Sequence, residues 1–192
     1  TRELHRKHRR NIYKVTLVGY TNTGKSTIMN LLTKSSIKVE DQPFSTLDAT
    51  TRILYLEGLP RRVVLSDTVG FIEDIPHHLI ASFKATLGVA KEADLLLHVI
   101  DISHPRVKER IQVVRQVLQE ISCKDKPLIM VFNKIDLLIE PKIIERFSEE
   151  FPNSIFISAK LEQGLMELKE EIKNFLKNLP DAERNRKPLK SL

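Results

Sequence analysis

The chain has 192 residues and a mass of 22.1 kDa, the length of one domain with at most short appended tails. Its 41% hydrophobic content is enough for a sizeable core and excludes wholesale disorder. A single cysteine, Cys123, excludes an intramolecular disulfide framework and a CxxC metal knuckle. No apolar run approaches the roughly 20 residues that span a bilayer, and the N-terminal TRELHRKHRR lacks the apolar stretch of a signal peptide. The chain begins at Thr1 rather than Met, as an excised domain or processed product would. The expectation is a soluble, monomeric protein of a reducing compartment, the cytoplasm or an organellar matrix, without membrane contact.

The net charge of +6 belongs to the two ends. Residues 1–10 hold five Lys or Arg against one acid, residues 181–192 hold four against two, and the stretch between is neutral. Such ends could contact RNA or be solvated linkers. Both readings stay open. The domain boundaries expected are therefore a basic remnant over 1–10, a folded unit over 11–180 and a basic linker over 181–192.

In chain order, Lys14 to Gly19 reads as a buried strand running into a glycine loop. A helix follows over about 24–34, then a long polar loop over 35–50 with Pro43 in its middle. Arg52–Glu57 and Arg62–Asp67 read as strands of a hairpin joined through Gly58-Leu59-Pro60. A second irregular stretch, 70–78, leads into a helix ending near Lys91. Asp94–Asp101 is almost wholly apolar, as a strand covered on both faces requires. Val107, Ile111, Val114, Leu118 and Ile121 then stripe a helix, with Pro105 placed in its first turn. Leu128–Asn133 is a strand, Pro141–Phe151 a helix, and Ser154–Ser158 a short strand. Leu165, Leu168, Ile172, Phe175, Leu176 and Leu179 stripe the last helix. Six strands alternating with five helices predict an α/β fold whose sheet is mostly parallel with one antiparallel strand. Ligands of such sheets bind at the carboxyl ends of the strands.

The first strand ends in Gly19-Tyr20-Thr21-Asn22-Thr23-Gly24-Lys25-Ser26, a full match to GxxxxGK[ST], and Thr27 follows it into the helix. Its backbone N–H groups can wrap a polyphosphate in front of the helix dipole. Lys25 supplies a mobile charge for the β- and γ-phosphates, and the Ser26 hydroxyl can ligate Mg²⁺. This is the sequence of a phosphate-binding loop.

Base identity comes from Asn133-Lys134-Ile135-Asp136. A carboxylate only accepts hydrogen bonds, so Asp136 suits the N1–H and N2–H₂ donors of guanine and opposes the N1 lone pair of adenine. The Lys134 stem can cover one face of the base, and Asn133 can tie this loop to the phosphate loop. Ser158-Ala159-Lys160 follows the sixth strand, where the Ala159 N–H could reach guanine O6. GTP and GDP are the expected ligands.

Asp67-Thr68-Val69-Gly70 closes the third strand. Asp67 can hold Mg²⁺ through water, and the Gly70 N–H can donate to the γ-phosphate. Within Phe44-Ser45-Thr46-Leu47-Asp48, Thr46 is the expected switch threonine that binds Mg²⁺, with Thr50 and Thr51 as competitors. Contacts that exist only while the γ-phosphate is present are the basis of a GTPase switch.

Phe71 stands where Ras-type enzymes carry the residue that orients the attacking water, and a benzyl group cannot do so. Arg52 is the nearest arginine to serve as a finger. Hydrolysis by the chain alone is therefore expected to be slow, on the order of 10⁻⁴–10⁻² s⁻¹. Asn22 fits the GxxNxGKS pattern of GTPases that recruit K⁺ against the phosphates, or it merely tightens the loop. The expected catalytic set is Lys25, Thr46, Gly70 and Asn22. His77 and His78 follow Pro76 in the second switch, where a partner could read them or solvent surround them. His98 lies in a buried strand and reads as a packed core residue. Cys123 has no neighbouring base in sequence, so a catalytic thiol is not expected.

Several stretches go beyond these general motifs. Val18 to Asn22, Phe44 to Arg52, Asp67 to Ile72, Leu79 to Leu87 and Ala93 to Pro105 together resemble the HflX-type GTPases of the Obg–HflX group over nearly all of residues 1–180. Thr23, Ala49 and the pair Gly88-Val89 depart from the usual family pattern. The resemblance implies a Ras-like P-loop GTPase fold, supports Thr46 as the Mg²⁺ threonine, and implies the large ribosomal subunit as partner, with ribosome splitting in some members. It also implies that Thr1–Arg10 is the end of a helical arm from a separate N-terminal domain. The alternative reading is a nucleotide-gated binding module whose GTP state orders a docking surface, with hydrolysis incidental.

Overall fold

The computed structural model describes residues 12–33, 50–68, 70 and 88–179. Strand β1 (Ile12–Val18) leads to helix α1 (Lys25–Thr33); β2 (Thr50–Leu54) and β3 (Arg62–Asp67) form the hairpin. Then follow α2 (Gly88–Glu92), β4 (Leu95–Asp101), α3 (Val107–Glu120) and β5 (Leu128–Asn133). A 3₁₀ turn (Ile135–Leu137), α4 (Lys142–Glu150), β6 (Ile155–Phe156) and α5 (Leu165–Lys177) complete the described chain.

The six strands form one sheet in the order β2-β3-β1-β4-β5-β6. Only the β2–β3 pair is antiparallel, so the α/β expectation with one reversed strand holds. Alternation along β4 explains why this strand reads as continuously apolar: Leu95, Leu97 and Val99 join one core while Leu96 and Ile100 join clusters on the other side. The first core holds Ile28 and Leu32 of α1 with Leu168, Ile172 and Leu176 of α5. Opposite it, Ile111, Val114 and Leu118 of α3 and Phe147 of α4 cover the other face. The helices thus sandwich the sheet, and the strand ends carry the polar loops.

Several predicted boundaries move. β2 begins at Thr50 and ends at Leu54 rather than spanning Arg52–Glu57, because backbone pairing with β3 sets its register, Thr50 opposite Asp67 and Leu54 opposite Val63. Pro105 lies before α3, whose cap is Arg106, so it shapes the preceding turn instead of the first helical turn. The sixth strand shortens to Ile155–Phe156, pairing only Val131 and Phe132. The predicted loop over 35–50 and the approach to Lys91 lie largely outside the described residues, as do both basic ends. No helix among the described residues is long and apolar enough to cross a membrane.

Candidate functional site

The carboxyl ends of β1, β3, β4 and β5 gather four loops at one edge of the sheet. At the end of β1, Lys25 opens α1 and is buried, with its Nζ donating to the Tyr20 carbonyl at 2.6 Å. Thr23 Oγ1 donates to the same carbonyl at 3.0 Å. Burial lowers the Lys25 pKa to about 8, against the opposing attraction of Asp67. The lysine is thus held inside the loop with its charge only partly compensated. That is an arrangement to which a polyphosphate would contribute directly.

The loop is braced from behind. The Arg110 guanidinium of α3 lies 4.7 Å from the centroid of the Tyr20 ring, a cation–π contact. Asn22 is exposed with φ 58°, a left-handed conformation that asparagine tolerates. Thr21 and Thr27 are partly exposed and Gly19 completes the turn.

Ser26 Oγ donates to Asp67 Oδ2 at 2.5 Å. Asp67 is 2% exposed, and burial raises its pKa despite the Ser26 bond, Lys25 and the Thr68 N–H. Its other oxygen, Oδ1, is buried with no hydrogen-bond partner among the described residues. An orphaned carboxylate oxygen beside a serine hydroxyl is an all-oxygen donor set, which fits a hard cation such as Mg²⁺. Among the described residues no group of three or more His, Cys, Asp or Glu converges as a metal cluster.

Gly70 approaches closely. A Cβ placed there would stand 2.7 Å from Thr21 Cα and 2.9 Å from Lys25 Nζ, so only glycine allows this approach to the phosphate loop. Thr68 points elsewhere: its hydroxyl donates to the Leu17 carbonyl at 2.7 Å inside the protein. Its side chain is thus committed to joining β3 to β1. Thr51 Oγ1 lies 3.0 Å from Ser66 Oγ, a contact within the hairpin. Thr50 sits opposite Asp67 across the strand pair and stays a competitor of Thr46. Arg52 Nη1 donates to Asn30 Oδ1 at 3.1 Å, so this arginine is held against α1 rather than free to act as a finger. Phe44, Ser45, Thr46, Leu47, Asp48, Val69, Phe71, His77 and His78 lie outside the described residues.

Asn133 joins the phosphate loop to the base-side loops. It is buried, its Nδ2 donates to the Thr23 carbonyl at 2.8 Å, and its Oδ1 accepts from the Ala159 N–H at 2.9 Å. The expected link to the phosphate loop is present. The Ala159 N–H, however, is engaged by Asn133 and is not an idle donor for guanine O6. Behind Asn133, the Phe132 ring packs on Phe147 and Phe156 with centroids 5.2 Å away in each case, which fixes the strand end.

Asp136 Oδ1 accepts from Ser158 Oγ at 2.6 Å. The hydroxyl in turn accepts from the Leu161 N–H at 3.1 Å, so the carboxylate is aimed by a fixed serine. Lys134, with φ 69°, sends its Nζ to Asp101 Oδ2 at 2.6 Å. Lys160 is exposed. Asp101, Arg110 and the serine–aspartate contact were not singled out from sequence. The position of Asp101 at the end of a buried strand is the signal that could have found it.

His98 is packed in the core as expected, 2% exposed, and burial lowers its pKa to about 3. Cys123 is buried, and desolvation raises its thiol pKa, which suits a packing role.

A family profile described as 50S ribosome-binding GTPase matches residues 14–134. The GTPase HflX of Escherichia coli strain K12 is 47% identical over 156 residues, covering 80% of this chain and 36% of that protein. The GTPase HflX of Caldanaerobacter subterraneus subsp. tengcongensis is 48% identical over 172 residues, covering 89% of this chain and 38% of its own length. The chain therefore spans less than half the length of these curated relatives. Among solved structures, a GTP-binding protein from Sulfolobus solfataricus in complex with GDP aligns with a TM-score of 0.67 and 28% identity, over 93% of this chain and 56% of that one. The chain belongs to the family of 50S ribosome-binding GTPases, and its sequence is similar to GTPases named HflX.

Proposed function

We propose that residues 11–180 form a GTP- and GDP-binding switch unit that hydrolyses GTP slowly and acts, within a longer protein, at the large ribosomal subunit. The observation that carries this reading is the Asn133 bridge, which holds the phosphate loop and the base-side loops as one site. Backbone N–H groups from Gly19 to Gly24 surround the phosphates, and Lys25 exchanges the Tyr20 carbonyl for phosphate oxygens. Asp136, oriented by Ser158, accepts from the guanine N1–H and N2–H₂. Ser26 and Asp67 would hold Mg²⁺, joined by Thr46. When bound, the ion neutralises charge developing on the phosphate oxygens. The Gly70 N–H serves the γ-phosphate.

Hydrolysis is slow on this reading because Phe71 cannot orient water and Arg52 is bound to Asn30. Asn22, exposed at the loop, is proposed to recruit K⁺ against the phosphates. The ribosomal role is supported by the family description. The test is the GTP hydrolysis rate of this chain in K⁺ and in Na⁺, with and without purified large subunits. Stimulation by subunits supports the switch. GTP binding without turnover under every condition would favour the nucleotide-gated module instead.

A further inference from the structure

The four-carbon stem of a lysine is flexible, and a lysine that covers a base must be ordered when the nucleotide arrives unless something orders it beforehand. In this chain something does. Lys134 Nζ is 2.6 Å from Asp101 Oδ2, and the pair is partly shielded, with the two side chains 30% and 13% exposed. Asp101 is itself fixed: its other oxygen, Oδ1, accepts from the Ser103 N–H at 3.0 Å and from Ser103 Oγ at 2.6 Å. One carboxylate oxygen is thus spent on holding the acid's orientation and the other on the lysine.

The two strand ends that carry these residues are neighbours. Asp101 of β4 pairs in register with Asn133 of β5, and the Ile102 N–H donates to the Asn133 carbonyl at 3.1 Å. Lys134 then leaves β5 in the left-handed conformation, which takes the chain out of the strand while its ammonium returns to the end of β4. The acid therefore belongs to a different segment from the base-reading motif. It lies at the sheet's carboxyl edge, beside the motif rather than within it.

We propose that Asp101 is a positioning residue of the guanine site, which pre-orders Lys134 against the base and so sets nucleotide affinity without contributing to base choice. The inference rests on the reading that Lys134 and Asp136 flank the base. Because Asp101 anchors a side chain that covers a purine face, and no edge atom of the base is read by it, its loss weakens purine nucleotides alike. Ordering one rotamer-rich side chain in advance is worth roughly a 3- to 10-fold gain in affinity. Asp136 acts on the donor edge of the base, so its loss changes selectivity. The two acids are separable by this difference.

The experiment measures GDP and IDP affinity and dissociation rate for the 192-residue chain and for D101N, D101A, K134A and the D101A/K134A double variant. D101N keeps an acceptor for Ser103 while losing the charge, and thermal melting of each variant identifies any that fails to fold. The expected result is a roughly 3- to 10-fold weakening of GDP by D101N and D101A, mainly through faster dissociation. The GDP-to-IDP ratio is unchanged, and D101A adds no further loss in the K134A background. The proposal is overturned if D101N binds GDP as the unaltered chain does while K134A binds weakly. It is equally overturned if the D101A loss persists in full without Lys134, which would mark a role in folding. If K134A itself leaves GDP affinity unchanged, the reading of the base site fails, and the inference falls with it.

Discussion

Asn133 and Thr23 are 110 residues apart in sequence, yet the Asn133 carboxamide donates to the Thr23 carbonyl at 2.8 Å in the protein interior. This contact makes one site of two loops that otherwise hang from different strands. Asn133→Ala leaves the Thr23 carbonyl and the Ala159 N–H without their buried partner, a loss of about 1–3 kcal/mol. We expect both a lower unfolding free energy in urea and a weaker GDP complex. A change in neither would mean that the contact does not couple the two loops.

Gly24 stands under the same asparagine. It has φ +96°, and a Cβ there would lie 2.3 Å from Asn133 Nδ2. Gly24→Ala is therefore expected to combine backbone strain with displacement of the bridge. GDP titration should show at least a tenfold loss, and retained affinity would mean that the loop reshapes without cost.

Lys25 gives a proton signature. With its pKa near 8 in the free protein, about half of the molecules carry an uncharged lysine at pH 8, and phosphate binding favours the charged form. GDP binding at pH 8 should therefore take up about half a proton, and none through Lys25 at pH 6.5. Affinity falls as pH rises beyond 8. Calorimetry in buffers of different ionisation enthalpy reads the uptake directly, and Lys25→Ala should abolish tight binding altogether.

His98 sets a stability slope of defined sign. Its folded pKa of about 3 lies below the ordinary value of 6.5, so the unfolded chain binds more protons between those limits. Stability from this group is intact above pH 6.5 and is lost as pH falls toward 3. Between pH 7 and pH 5 the loss is about 2 kcal/mol. Asp67 and Asp94, whose pKa values burial raises, act with the opposite sign. The test is therefore the difference between the unaltered chain and His98→Leu, in which the fall from pH 7 to pH 5 should be shallower. Parallel slopes would contradict the assignment.

Most of the fold and of the candidate site is legible in local sequence pattern. Strand–loop–helix order, the GxxxxGKS spacing and the NKID run each declare themselves within a dozen residues, and the NKID run itself points Asn133 toward the phosphate loop. Contacts that depend on register or on side-chain direction were less legible. Thr68 lies in the expected motif, but its hydroxyl serves the Leu17 carbonyl, because the end of β3 lies beside β1. The Ala159 N–H is occupied by Asn133, a partner 26 residues away that periodicity cannot show. β2 shifted because its limits come from pairing with β3 rather than from its own apolar residues. Asp101 is not legible as part of the site, since nothing in its sequence neighbourhood names Lys134 as its partner.

On the proposed reading, Asp136, aimed by Ser158, makes this a guanine site. Its most direct test is calorimetric titration of the chain with GDP and ADP in Mg²⁺ buffer, repeated with Asp136→Asn. We expect one-to-one GDP binding, with ADP roughly 100-fold weaker or more, and a much reduced gap in the variant. Equal affinity for GDP and ADP in the unaltered chain, or undiminished discrimination in Asp136→Asn, would contradict that reading.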